Sequence, residues 1–453
     1  MKLNKAQVRT ILVLDLVLIV LILAIGAQFL FGGRSAAPVD ESSLPANADN
    51  ATATDEKPSE PEYSRSRAAR KSTAAALELE TNIGGSGDES LVDVIATNGR
   101  VFVFGNTTST DCDADGGSGA FVAELDETLT TLDFYRPSER KIVGVTLAEG
   151  GFLLALGGEN GVSLALMGYD GKVTATAPET DGEFAALRLT DEGYALVTSV
   201  THSPLVKKKL FLRAFDFSLN RVYERMISSP YSLEFVDLFK VGKTYAVFFN
   251  AVSDLSRHAG AATCDERPEP VLAYIDKGGA YRASAVAPVS GGWAIAAIYE
   301  GGDGALMIVG DDFSKKNVIF QGATLPLSAT IGYCDNTYYV GFFGGEASVA
   351  LAYDSGFKVQ RRLNALGSLS GVTDFISGGD WGLFAGTTGD ALGVVGSRGS
   401  CSLRFGSGNE SNPRLACSDD DFYVAACSKG TSADVGGSFG GTDLWIAKLK
   451  IGA

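Results

Sequence analysis

The sequence predicts an all-β protein: a β-propeller of eight blades, with seven as the alternative, closed into a ring by its own N-terminal strand and preceded by one transmembrane helix. Three observations lead there. Glycine contributes 55 of 453 residues and aromatics 9%, while 45% of the chain is hydrophobic. Such a mixture suits short strands joined by tight turns, because glycine weakens helices and aromatic residues pack well on a pleated surface. An apolar strand, a polar turn and an aromatic-led strand recur with a near-constant period. Finally, one strand stands alone before the first copy, and the last copy stops one strand short.

Residues 1–10 form a basic stub with Lys2, Lys5 and Arg9. From Ile11 to Phe31, "ILVLDLVLIVLILAIGAQFLF" is almost unbroken apolar sequence. At about 1.5 Å rise per residue it spans roughly 30 Å, the thickness of a bilayer's hydrocarbon layer. Most signal-peptide apolar regions are shorter, so an uncleaved membrane anchor is expected, with cleavage at "AIGAQ" the alternative. The basic stub puts the N-terminus in the cytoplasm and everything beyond Gly32 outside. Asp15 lies about one turn inside the cytoplasmic end and can reach the headgroups. Residues 32–74 mix Pro, Ser, Ala, Asn and Glu with few apolar side chains, the composition of a disordered tether. Its basic cluster "RSRAARK" reads as a solvated charge run. The expected boundaries are therefore 1–10, 11–31, 32–74 and a propeller over 75–453.

Residues 1–75 hold 9 Lys and Arg and 8 Asp and Glu, which leaves 29 basic and 46 acidic residues beyond them, a net charge of −17. Such a body repels nucleic acid and anionic surfaces, and no nucleic-acid partner is expected. Six cysteines, at 112, 264, 334, 401, 417 and 427, include no C-x-x-C pair. They read mainly as small buried hydrophobes. With only His202 and His258 in the chain, a histidine-rich metal site is excluded.

The recurring second strands read "VFVFGNT", "FLLALGG", "YALVTSV", "YAVFFNA", "WAIAAIY", "YYVGFFG", "WGLFAGT" and "FYVAACS". They start at Val101, Phe152, Tyr194, Tyr245, Trp293, Tyr338, Trp381 and Phe422, at spacings between 41 and 51 residues. A third strand follows each, from "AFVAELDE" in the first unit to "LWIAKLKIG" in the eighth. A fourth, more polar strand follows in most, as in "TTLDFY", "KVTATAP" and "RVYERMI". Four antiparallel strands per period of about 40 to 50 residues is the pattern of a propeller blade. In the fourth unit "VLAYIDKGG" reads as the third strand, leaving only Ala280 to Arg282 for a fourth. Either that blade has three strands, or two units form one irregular blade and the count is seven. A ring avoids exposed strand edges only if its last sheet joins its first. Residues 75–84, "AALELETNIG", are therefore expected to complete blade eight as its outermost strand.

"IGGSGDESLVDVIATNGRVFVFGNTTST" followed by "GGSGAFVAELDETLTTLDFY" resembles a bacterial β-propeller repeat family. That family has a GGS-x-x-D start, a G-x-x-Y/F-V-x-G-x-T centre and a "DAFVAKLD"-like third strand. The resemblance covers Asn82 to Tyr135 and returns in "GGTDLWIAKLK". It implies a circularly closed propeller and no particular activity, because fold does not fix function.

Eight residues before each aromatic position stand Asp93, Gly144, Ala186, Asp237, Ala285, Thr330, Thr373 and Arg414. Crowding near a propeller axis accounts for the small residues but not for Asp93, Asp237 and Arg414. Closure makes blades one and eight neighbours, so an Asp93–Arg414 ion pair across the seam is expected. Asp93 and Asp237 stand three blades apart, whereas glycoside hydrolysis needs carboxylates about 5 to 10 Å apart. Long loops are expected at 106–119, 250–270 and 428–441, where recognition usually sits. In the first, Asp111, Asp113 and Asp115 alternate ahead of Gly116, a pattern that suits a hard cation such as Ca²⁺. No acid stands at the twelfth loop position, Val122, and a metal-free acidic turn is the competing reading. No other cofactor is implied. The second loop holds His258 and Cys264, which on a mobile loop do not make a base and nucleophile. The expected protein is a membrane-tethered, extracytoplasmic binding or scaffold module with a protein or cell-wall partner. Its alternative is an envelope enzyme acting on glycans or peptides at the axial mouth.

Overall fold

The computed structural model describes residues 76–450 apart from 113–116, 202–206, 254–255, 276–280, 314, 345–347, 365, 379–380, 389–390, 398–401, 406–409, 419–420 and 430–440. The apolar segment 11–31 and the tether 32–74 lie outside the described residues. Among those described, no helix is long and apolar enough to cross a membrane.

The described residues form eight antiparallel sheets of four strands each. Their first strands are Glu89–Thr97, Lys141–Ala148, Glu183–Thr190, Ser232–Val241, Tyr281–Val289, Ser328–Cys334, Gly371–Gly378 and Glu410–Ser418. Each touches the first strands of both neighbouring blades, so the eight stand in a ring around one axis. Blade eight takes its outermost strand from the other end of the chain. Ala76–Ile83 pairs antiparallel with Asp443–Lys450, from Ala76 opposite Lys450 to Ile83 opposite Leu444.

Blade four is complete, which rules out the seven-blade count. Its third strand is Arg257–Cys264, and "VLAY", Val271–Tyr274, is its fourth strand rather than its third. The run "HAGAATC" carries little strand propensity, because alanine and glycine are poor strand formers. Packing overrides that preference: Ala259 and Ala261 lie fully buried with Phe248 on one face of the sheet, and Ala262 with Phe249 on the other. Segment 250–270 is therefore mostly strand, not a long loop.

The apolar core consists of eight clusters, each between two adjacent blades. In blade one, Val101 and Val103 face blade eight, whereas Phe102 and Phe104 face blade two. Because both faces of each sheet are covered, the second strands read as continuous apolar runs instead of alternating with polar residues. Between blades four and five, Phe248 meets Trp293 and Phe313 edge to face, with ring centres 5.0 and 5.7 Å apart. The asparagines of "VFGNT" and "VFFNA" clamp successive blades. Asn106 donates to Ile142 O at 2.9 Å and accepts from Ile142 N at 2.7 Å. Asn250 makes the same pair of bonds with Ala283, at 2.9 and 2.8 Å. Each thereby satisfies backbone groups on the next inner strand that no ladder reaches.

The recurring Asp after the third strands has a local cause as well. Asp126 Oδ1 accepts from the backbone N–H of Thr128 and Thr130, and Asp216 and Asp354 repeat the arrangement. The turn places an apolar residue three positions on in the left-handed region, Leu129 at φ 60° and Leu219 at φ 65°. Both are buried between blades, which offsets the strain.

Deleting residues 76–83 removes a ladder of seven paired residues, several kcal/mol at about 1 kcal/mol net per hydrogen bond, and bares the edge of Asp443–Lys450. The expected outcome is a lower melting temperature with self-association in sedimentation velocity. A stable monomer after deletion would contradict closure by this strand.

Candidate functional site

Closure brings the two glycine-rich motifs into contact. Gly441 N donates to Gly87 O at 3.0 Å and Glu89 N to Thr442 O at 2.6 Å, while Thr442 N donates to Asp88 Oδ1 at 2.9 Å. Crowding by the C-terminal motif requires Gly84, and crowding by blade one's segment 108–112 requires Gly85 and Gly87. A Cβ on Gly84 would lie 1.8 Å from Asp443 Oδ1, and one on Gly87 2.8 Å from Ser109 N. The buried Glu89 carboxylate accepts from the hydroxyls of Thr107 and Ser109 and from Gly85 N.

Of the three expected calcium ligands, Asp111 belongs to the same seam. Its Oδ1 accepts from Ser86 N at 2.8 Å and Ser86 Oγ at 2.9 Å, and these bonds hold its carboxyl below the usual range. Asp113 and Asp115 lie outside the described residues. No group of three or more His, Cys, Asp or Glu suited to a metal occurs among the described residues.

Seven of the eight inner strands carry one extra residue opposite the second strand, at the same level of the ring. Such bulges re-aim the side chain that follows. The residue after the bulge is Asp93 in blade one, Asp237 in blade four and Arg414 in blade eight, as the repeat alignment placed them. In blade seven it is Asp374, not Thr373. There Trp381 pairs with Gly378 at the closing step of the hairpin, one step earlier than Val101 does in blade one, so counting from the aromatic lands one residue short. The missed signal was the register of that hairpin. All three aspartates accept from their own next backbone N–H, at 2.8 to 2.9 Å.

Arg414 does not form the expected ion pair with Asp93. Its Nε donates to Val92 O at 3.2 Å and its Nη1 to Thr373 O at 3.3 Å, so it ties blades one, eight and seven through backbone carbonyls. Its charge still acts on both flanking acids. Asp374 also accepts from Leu415 N at 2.8 Å, and Asp237 from Arg188 Nη2 at 3.3 Å. Burial raises all three carboxyls, and it pushes Asp93 up to about 6, where the bond from Val94 and the charge of Arg414 oppose it and Asp374 reinforces it. Of the three, Asp93 has the fewest partners.

Among the described residues, two cavities open on the face that carries the loops between second and third strands. One, of about 630 Å³ between blades two and three, is bordered by Glu159, Asp181 and Glu183, with the largely exposed Glu183 paired to Lys208 at 3.4 Å. The other, of about 490 Å³, lies where blade five and the link to blade six meet blade four, and it is lined by Tyr299, Leu325, Pro326 and Leu327 together with Val252, Ser253, Ser256 and Arg257 of blade four. Tyr299, Leu325 and Leu327 are 37%, 57% and 73% exposed, an unusual amount of apolar surface at one place. Leu325 holds φ 52°, a strained conformation for a leucine. The link is nevertheless fixed: Leu325 N donates to Gly302 O at 2.6 Å, Leu327 N to Phe343 O at 2.8 Å and Arg282 Nη2 to Leu327 O at 2.7 Å.

His258 and Cys264 lie at opposite ends of strand Arg257–Cys264. Burial pushes the Cys264 thiol up to about 12, which suppresses the thiolate, and His258 Nε2 sits 2.7 Å from Ser256 Oγ. In the third long loop, Gly436, Ser438 and Gly440 have G-x-S-x-G spacing. They lie outside the described residues, and the next described element is strand Asp443–Lys450, not the helix of a nucleophile elbow.

The sequence matches no known protein family, and no curated protein is similar to it. Solved structures are similar in fold. The Dos1 propeller is 12% identical over 82% of this chain and 95% of its own, with a TM-score of 0.50. Sqt1 from Chaetomium thermophilum is 12% identical over 81% and 98%, with a TM-score of 0.51. At such identity the likeness establishes the class, a β-propeller, and nothing about activity.

An acid whose pKa is raised on folding keeps its proton longer in the folded chain. Stability therefore falls as pH rises from about 4 to 6 and stays lowered above that. Asp93→Asn keeps the Val94 hydrogen bond and removes the charge. Denaturant titration should find the variant more stable than the parent at pH 8, on the order of 1–2 kcal/mol after allowing for axial solvent, with no gain at pH 4. Asp111→Ala should lower the melting temperature by the same amount with calcium as with chelator if its role is to hold Ser86. A loss seen only with calcium would restore the metal reading.

Proposed function

We propose that this chain is a non-catalytic binding or scaffold module, anchored by residues 11–31 and presented outside the membrane on the tether 32–74. The groove of Tyr299, Leu325 and Leu327 carries this reading. Aromatic and aliphatic side chains on a rigid loop face, bordered among the described residues by one carboxylate, that of Glu300, provide contact area and few groups for chemistry. Membrane attachment rests on the length of the apolar segment and its basic flank.

The enzyme reading draws support from one observation, the raised carboxyls of Asp93 and Asp374 on either side of Arg414. General acid–base catalysis needs both groups free to reach a substrate. Both oxygens of Asp374 are held by backbone N–H groups, which leaves Asp93 alone. Binding is the better supported role.

Crosslinking in intact cells, followed by pull-down of the full chain from the membrane fraction, should return a reproducible envelope partner. Protease added outside the cytoplasmic membrane should release the ring by cutting the tether. Recovery in the soluble fraction would remove the anchor from this reading. Hydrolysis of peptide or glycan substrates that is lost in Asp93→Asn would replace binding with catalysis.

A further inference from the structure

We infer that the groove between blade five and the blade-six link takes an extended peptide segment of a protein partner, with an aliphatic or aromatic anchor flanked by an acidic residue. This rests on the binding-module reading and specifies the partner's chemistry. A cavity of about 490 Å³ is in the range of ligand sites and holds one or two large side chains. Its apolar lining includes Ile298 and Pro326 beside the exposed Leu325 and Leu327. Tyr299 is braced by Tyr281, with ring centres 5.2 Å apart. A rigid apolar pocket of this kind is where interface anchors gain most, since little ordering remains to be done on binding.

Three further observations set the occupant's polarity. Among the described residues the lining carries two guanidinium groups, Arg257 and Arg282, and one carboxylate, that of Glu300, in a ring of net charge −17. That carboxylate is already engaged, accepting from Arg257 N at 2.7 Å. Arg257 Nε is buried without an acceptor, while its Nη2 stands 3.6 Å from Glu234 in a loose pair. An orphaned buried donor costs free energy until an acceptor arrives, and a carboxylate is the strongest acceptor a peptide can bring. The strained backbone of Leu325 fits the same role: it projects an apolar side chain over Gly302, which at φ 101° has no Cβ to obstruct it.

Fluorescence anisotropy on the purified full chain tests this with two short labelled peptides that share a Leu-Phe core, one flanked by Asp and Glu, the other by Lys. The acidic peptide should bind at least about tenfold more tightly than the basic one. Leu327→Ser and Arg257→Gln should each weaken it about tenfold with the melting temperature unchanged, whereas Leu147→Ser, on the opposite face, should leave it alone. Equal binding of both peptides, insensitivity to Leu327→Ser, or no saturation up to about 1 mM would overturn the inference. A partner crosslinked in cells without peptide binding at this groove would sink the groove and spare the binding-module reading. Absence of any partner would sink the reading itself.

Discussion

The pairing of Ala76–Ile83 with Asp443–Lys450 is the constraint on which the remainder depends. Eight blades bury their apolar surface only against each other, so one missing strand at the junction of first and last would expose an edge and loosen two adjacent interfaces. Because the closing strand runs directly into "GGSGDES", the same residues that complete blade eight also position the inner strand of blade one. The hydrogen bonds among Gly87, Asp88, Glu89, Gly441 and Thr442 couple these tasks. The glycines there are spacing devices: a side chain at Gly84 would meet Asp443, and one at Gly441 would meet Asp88 and Gly87 O, driving the two ends apart.

That coupling changes what several polar residues mean. Asp111 reads as a metal ligand along the chain, yet it is occupied by Ser86 at the seam, and the neighbouring buried Glu89 is occupied by Thr107 and Ser109. Arg414 likewise serves backbone carbonyls of both neighbouring blades. The charged residues after the bulges then divide into Asp237, Asp374 and Arg414, each with two partners, and Asp93, with one. Burial without full compensation gives Asp93 its raised pKa, and the same geometry leaves it as the axial group with capacity to spare.

The loop face works on a different principle. Its blade-five groove is apolar, preformed and held by main-chain hydrogen bonds, so recognition there would draw on shape and desolvation, with the arginines choosing the sign of the partner. A scaffold that is rigid because its blades interlock can carry such a surface at little cost in order.

Eight units, their second strands and the closing strand were legible because continuous apolar runs at a fixed period report sheets buried on both faces. Asp93, Asp237 and Arg414 were legible as exceptions to smallness in an aligned column. Blade four's third strand was not, because alanine and glycine signal strand only once large rings close on them. Asp374 was not, because a one-residue difference in hairpin register cannot be seen from the position of an aromatic. Nor could the groove be read, since Tyr299 and Leu327 are 28 residues apart and ordinary in composition. Periodicity, a local property, was decided by the sequence alone. Which acids are satisfied and which apolar side chains stay exposed depends on what distant segments place beside them, and only the closed ring decided that.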